Sequence, residues 1–222
     1  MRLLIALATA VVLSLSFVSP AASYDERYPS TYAENSGAKY ANDYSRTGRK
    51  VVRVVKRSVK RVVQAVQDLD AATNRATEAF GQKVERAYQF FLDRGYSHQA
   101  TAGILGNIKA ESNFNVHDVG DRGRARGLAQ WHPDRYAGLR KLAKETGRDL
   151  HDYDLQLEYI DQELRKSETL AFRELQRART VDDGTAAFVH YERPQFYTER
   201  RPRRAHSYKH RVRSAELYAK QY

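Results

Sequence analysis

No cysteine occurs among the 222 residues of this chain. Disulfides and thiol chemistry are therefore excluded, and any folded part must rest on its apolar core; about 140 residues are enough to bury one. After the apolar run Leu3 to Val18, no further segment could span a bilayer. No stretch alternates as a strand would, and no internal repeat is visible, so the expected fold class is all-α. The seven histidines carry no metal-site spacing such as His-Glu-x-x-His. There is no Ser-His-Asp nucleophile signature, no phosphate-binding glycine loop and no dinucleotide fingerprint, and no cofactor or metal is expected. Acid is scarce relative to base: 38 Lys and Arg stand against 27 Asp and Glu, giving a net charge of +11 and a pI near 9.8. That balance favours anionic partners: nucleic acid, anionic lipid or cell-wall polymer.

What is present divides into four segments. Residues 1–23 read as a signal peptide, with Arg2, the apolar run and the small-residue zone Pro20-Ala21-Ala22-Ser23. This predicts export to the periplasm or the exterior; a signal-anchor that is later released is the alternative. Residues 24–47 are rich in Tyr, Ser, Ala, Asn and charge, and read as a flexible linker. Residues 48–78 predict a basic amphipathic helix. Val52, Val55, Val59, Val62, Val66 and Leu69 form a narrow seam, and Arg49, Lys50, Arg53, Lys56, Arg57, Lys60 and Arg61 cover the other faces, with no acid before Asp68. Two readings stand: the helix meets an anionic membrane or polymer, or it packs its valines on the folded domain and solvates its lysines. Either needs a partner surface, because β-branched residues lower helix propensity.

Residues 79–222 form the expected globular domain. Val84, Ala87, Tyr88 and Phe91 give a helical period stopped at Gly95. Ser97 caps the next helix, which runs to Glu111. Further helices are expected from Pro133 to Glu145 with a stop at Gly147, from about Asp154 to Lys166, through Leu170 to Ala178, and from the cap Thr180 through His190. The tail from about Glu199 to Lys220 also reads as helix. Its run Arg200, Arg201, Arg203, Arg204, Lys209, Arg211 and Arg213 contains no acid, so it is either a solvated face or a loose grip on a polyanion.

The stretch Gly103 to Trp131 concentrates the unusual residues: five of the twelve glycines and the only tryptophan. A glycine inside a helix costs roughly 1 kcal/mol relative to alanine, so Gly103 and Gly106 imply close backbone packing. Ile104, Ile108 and Glu111 share one helix face, which places the Glu111 carboxyl at the end of an apolar stripe. Such a place favours the protonated form, and a protonated carboxyl can serve as a general acid. The alternative is a solvated or cap-paired glutamate. His117 to Arg126 is a long, charged loop in which Asp118 and Asp121 act either on a substrate or as turn caps.

Glu111-Ser112 with Phe114-Asn115, then Val119-Gly120-Asp121, then Arg126-Gly127-Leu128-Ala129-Gln130-Trp131-His132, and later Tyr191-Glu192-Arg193-Pro194, resemble the phage tail lysozyme domain family. More distantly they resemble goose-type lysozymes and soluble lytic transglycosylases. The similarity runs from about Lys83 to Pro194; Val116 departs from it, where many relatives carry proline. The resemblance implies a lysozyme-like multi-helix domain, an exported peptidoglycan hydrolase of the muramidase type. Its target would be the β-1,4 bond between N-acetylmuramic acid and N-acetylglucosamine, with Glu111 as general acid. Ser112, Asp118, Asp121, Gln130, Trp131 and Tyr191 would meet the substrate. Gln130 has an amide that both donates and accepts, and Trp131 could stack on a sugar or lie in the core. Tyr191 is equally readable as a core tyrosine. A lytic transglycosylase with the same acid, and a non-catalytic polyanion or membrane binder on this scaffold, remain as alternatives. The expected partners are glycan strands, together with anionic membrane or envelope polymer through 49–61 and 200–213. No specific nucleic acid is expected, and the chain is read as a monomer.

Overall fold

The computed structural model describes residues 33–222, with side-chain burial from Thr47 onward. The expected signal peptide and the first part of the linker lie outside the described residues. The chain divides into two units at Thr77 and Glu78. A single helix, α1 (Ala33–Asp93), carries most of the first unit and the start of the second. It extends the expected 48–78 helix in both directions, so residues 33–47 are helical rather than linker-like. From Thr47 to Ala79 no residue is buried, and Val51, Val52, Val54, Val62 and Leu69 are exposed.

The second unit is organised around α2 (His98–Ser112). The Ser97 hydroxyl accepts the Ala100 N–H at 3.1 Å and starts the helix. Asn113, at φ 52°, ends it in the left-handed region. Every residue from Ala100 to Ile108 is buried, so the helix is covered on all sides rather than along one stripe. The glycines allow this. A Cβ on Gly103 would collide with the backbone of Gly184 and Thr185, and one on Gly106 would come within 2.7 Å of the Ala215 Cβ. The expectation of close backbone packing at these two positions therefore holds.

The surrounding helices are α3 (Pro133–Thr146), α4 (Tyr153–Lys166), α5 (Thr169–Arg177), α6 (Val181–Glu192) and α7 (Tyr208–Gln221). Their starts follow local chemistry. Proline stands in the first turn of α3, Asp152 caps α4 by accepting from Leu155 N, and Thr180 and Asp183 form a reciprocal capping box on α6. The core joins Val84, Ala87, Tyr88 and Phe91 of α1 to Ile104, Leu105 and Ile108 of α2, to Leu155, Leu157, Ile160 and Leu164 of α4 and to Phe188 of α6.

Two expectations are corrected. The tail is not one helix: residues around the single 3-10 turn Pro202–Arg204 are irregular, and α7 begins only at Tyr208. Pro202 lacks the N–H a continuous helix needs. The loop 117–126 is not strand-free either. Val119–Gly120 (β1) pairs antiparallel with Ala125–Arg126 (β2), in the register Val119 to Arg126 and Gly120 to Ala125. Two-residue strands are too short to leave an alternating signature.

Candidate active site

Three helices meet at Glu111. The residue sits in the last turn of α2 with 18% of its side chain exposed. Its Oε1 accepts a short hydrogen bond from Arg211 Nη2 of α7. Arg211 is 3% exposed and donates through Nη1 to Asn107 Oδ1 at 3.0 Å. Asn107, fully buried, donates in turn to Gly103 O at 2.8 Å and to Thr185 O of α6 at 3.2 Å. The carboxylate is thus held by a chain of donors that ties α2, α6 and α7 together. The apolar stripe expected around Glu111 is corrected at this point, because a buried guanidinium closes it.

Arg211 belongs to the cationic run that reads in the sequence either as a solvated face or as a loose grip on a polyanion. It is instead the one of that run committed to the site, 100 positions away from its carboxylate. A signal for this exists: Tyr208, Arg211, Ala215 and Tyr218 share the buried face of α7. Arg203 is also engaged, pairing with Asp182 at 2.6 Å and Asp183 at 2.9 Å.

The turn from Gly127 to Trp131 packs against the end of α2. Ser112 is buried and its hydroxyl donates to Leu128 O at 2.8 Å, so this side chain anchors the turn. Gln156 of α4, also buried, accepts the Leu128 N–H at 2.9 Å and donates to Val116 O and Leu150 O. Gly127 has φ +74°, and a Cβ there would press on Gln156 and Trp131. Gln130, at φ 45°, donates from Nε2 to Gly127 O at 3.0 Å and lies over Gly120 of the ribbon. Asp118 contributes its carbonyl, which accepts from Gly127 N at 2.9 Å. Asp121 turns the ribbon tip at φ 44° and pairs with Arg124 at 2.8 Å, with His132 Nε2 at 3.8 Å.

Trp131 and Tyr191 are fully buried, which corrects the expectation that they meet a sugar. Trp131 Nε1 donates to Glu163 Oε2 at 2.7 Å and to the Tyr191 hydroxyl at 2.9 Å. The Tyr191 hydroxyl donates to Glu163 Oε2 at 2.6 Å. Arg135 of α3 grips Glu163 with Nε and Nη2, both at 2.9 Å, lies 4.2 Å over the Tyr191 ring and donates to the Tyr191 carbonyl. Burial holds the Tyr191 phenol well above its usual range. This buried network fixes the end of α6.

That end carries a residue the sequence reading quoted but gave no role. Glu192 is the last residue of α6, next to Tyr191. The residue as a whole is half-buried, but its Oε1 is enclosed and has no hydrogen-bond partner among the described residues. Burial first, and then the charge on Glu111, push its carboxyl well above the ordinary glutamate range, against the pull of Arg135 and Arg211. One carboxyl, Glu111, thus sits on a guanidinium, while one oxygen of the other, Glu192, is enclosed without a donor.

The profile of the phage tail lysozyme family matches residues 82–212. No curated protein matches the chain. The matched span covers more than half of the sequence and holds Glu111, the Gly-Leu-Ala-Gln turn, Glu192 and Arg211. The chain belongs to the phage tail lysozyme family, which implies a lysozyme-like domain that acts on peptidoglycan.

Proposed function

We propose that this protein is an exported muramidase that cleaves the β-1,4 bond between N-acetylmuramic acid and N-acetylglucosamine, with Glu111 as general acid. The observation that supports this most is the placement of Glu111. It is partly exposed, fixed by the buried Arg211, and lies at the end of a helix against which the Gly127–Trp131 turn is anchored. Glycoside cleavage requires a proton for the leaving oxygen, and a positioned carboxyl supplies it. The β1–β2 ribbon, with Asp118, Asp121 and Gln130 along it, borders the same helix end and serves as the wall that orients the glycan. Ser112, Trp131 and Tyr191 act from beneath, by holding that wall and α6.

A lytic transglycosylase reading keeps the same acid and replaces water with the sugar's own hydroxyl. A non-catalytic binder has no physical need of a partly exposed acid on a buried arginine. Purified peptidoglycan and mass spectrometry of the released muropeptides separate the three. Reducing ends support hydrolysis, anhydro ends the transglycosylase, and binding without release the third.

The basic side of α1 belongs to the same reading as an adhesive for the anionic envelope surface. It is supported by exposed Val51, Val54, Val62 and Leu69 on the helix that also carries seven cations between Arg49 and Arg61.

A further inference from the structure

The uncovered apolar side of α1 is wider than the narrow seam that the sequence spacing suggests. Successive residues of a helix point about 100° apart. On that wheel Val54 extends the line of Val55, Val59, Val62 and Val66 on one side, and Val63 extends it on the other. Between Val51 and Leu69 the apolar arc therefore covers about half the circumference, interrupted only by Ser58. All seven cations from Arg49 to Arg61 fall on the opposite half, and no acid stands before Asp68. The apolar half is open: Val54 is 62% exposed, Val62 61% and Leu69 66%.

This pattern selects among occupants. A polyanion in solution engages the cations and leaves the apolar half in water. A second copy of the helix calls for a narrow seam with complementary charges along its edges. Here the arc is broad, and each copy would bring only cations to those edges. An anionic bilayer surface answers both halves. The valines enter the boundary of the acyl chains, while Lys56 and Arg61, at the two edges of the arc, stretch towards headgroup phosphates. Among the described residues no helix is long and apolar enough to cross a membrane. A helix that is half apolar and half cationic lies in the plane of the interface.

We propose that residues 49–69 form an interfacial helix that docks on a bilayer of anionic phospholipid, with its valine half sunk below the headgroups. This deepens the adhesive reading of α1 by committing it to lipid. It does not depend on the chemistry at Glu111.

The test uses the whole chain, which has no cysteine and so accepts a single nitroxide label. Val62→Cys places the label on the apolar half, and Gln64→Cys places it on the cationic half. Each labelled chain is mixed with vesicles of phosphatidylglycerol or of phosphatidylcholine. Electron paramagnetic resonance then reads the access of oxygen and of a water-soluble nickel chelate to the label. A local probe is needed because binding through the apolar run Leu3 to Val18 gives the same bulk signal. On phosphatidylglycerol the label at position 62 should lose access to nickel and gain access to oxygen, while the label at 64 keeps its access to nickel. Phosphatidylcholine should change neither. Val55→Asp and Val62→Asp together should weaken binding to phosphatidylglycerol vesicles at least ~10-fold. The same pair should leave binding to long-chain polyphosphate, an anion with no apolar phase, unchanged. The proposal is overturned if the label at 62 stays open to nickel on bound vesicles, or if both labels are shielded alike. It is also overturned if spin–spin broadening between labels at 62 shows the face covered by a second copy. Binding to polyphosphate with none to vesicles overturns the lipid docking and leaves the adhesive reading standing. Should the double variant lose its helix, the two labelled chains still decide.

Discussion

Arg211 and Glu192 set the character of the site. Arg211 is almost wholly buried and is neutralised by Glu111 while Asn107 fills a further donor position. Removing one partner of a buried ion pair strands the other, typically at 3–5 kcal/mol. Arg211→Met should therefore cost about 3 kcal/mol or more, read by denaturant unfolding at neutral pH, whereas Arg200→Met on the exposed part of the tail should change stability little. Glu192 leads to a prediction about pH. Its folded-state affinity for the proton is raised, so the native chain binds more protons than the unfolded one above the ordinary glutamate range. Its contribution is then fully present at low pH and is lost as pH rises through the folded value. Glu192→Gln should flatten that loss, so the variant should gain on the parent between acidic and neutral pH when both are melted across the range. Glu111 was legible from its motif. Arg211 was not, because a run of cations reads as a solvated face or a loose grip on a polyanion until the helical face shared by Tyr208, Ala215 and Tyr218 is counted. Trp131 was open to two readings, and only its partners Glu163 and Tyr191 decide between them.

At the scale of elements, α2 explains why glycine sits where helix propensity disfavours it. Gly103 meets Gly184 of α6, and Gly106 meets α7, so the backbones approach without side chains between them. Gly103→Ala must push α6 away together with Thr185 O, the acceptor for Asn107. Overpacking of this kind costs about 1–3 kcal/mol, and the same change should lower the cleavage rate because Arg211 loses its register with Glu111. A thermal melt paired with initial rates checks both. The helix boundaries at Ser97, Thr180 and Gly147 are readable because caps are local and each acts within a turn, whereas the cap Asp152 shows only in the structure. The β1–β2 ribbon was not, since it is held by the bridge between Arg126 and Trp131 and by Gln156, whose distance along the chain hides it. For α1, deletion of Tyr24 to Ala71 should leave cleavage of soluble glycan chains intact. It should also weaken binding to anionic vesicles, with the difference shrinking as salt shortens the Debye length. Loss of circular-dichroism signal beyond the deleted helix would instead make this segment part of the folded core.

At the scale of the whole molecule, a cationic chain of two units suits an anionic polymer substrate. The folded unit from Glu78 holds Glu111 and Glu192, and the proposed adhesion falls to the exposed basic helix before it. The absence of cysteine agrees with a fold held by burial and by buried polar networks alone. The central claim is that this unit breaks glycan strands with the Glu111 carboxyl, and one measurement bears on it most directly. Dye release from purified peptidoglycan is followed for the parent chain and for Glu111→Gln, with circular dichroism to show that both are folded. The account predicts release by the parent and a fall of at least ~100-fold in the variant, the usual consequence of removing a general acid. Equal release by the two proteins, or none from a folded parent, would contradict it.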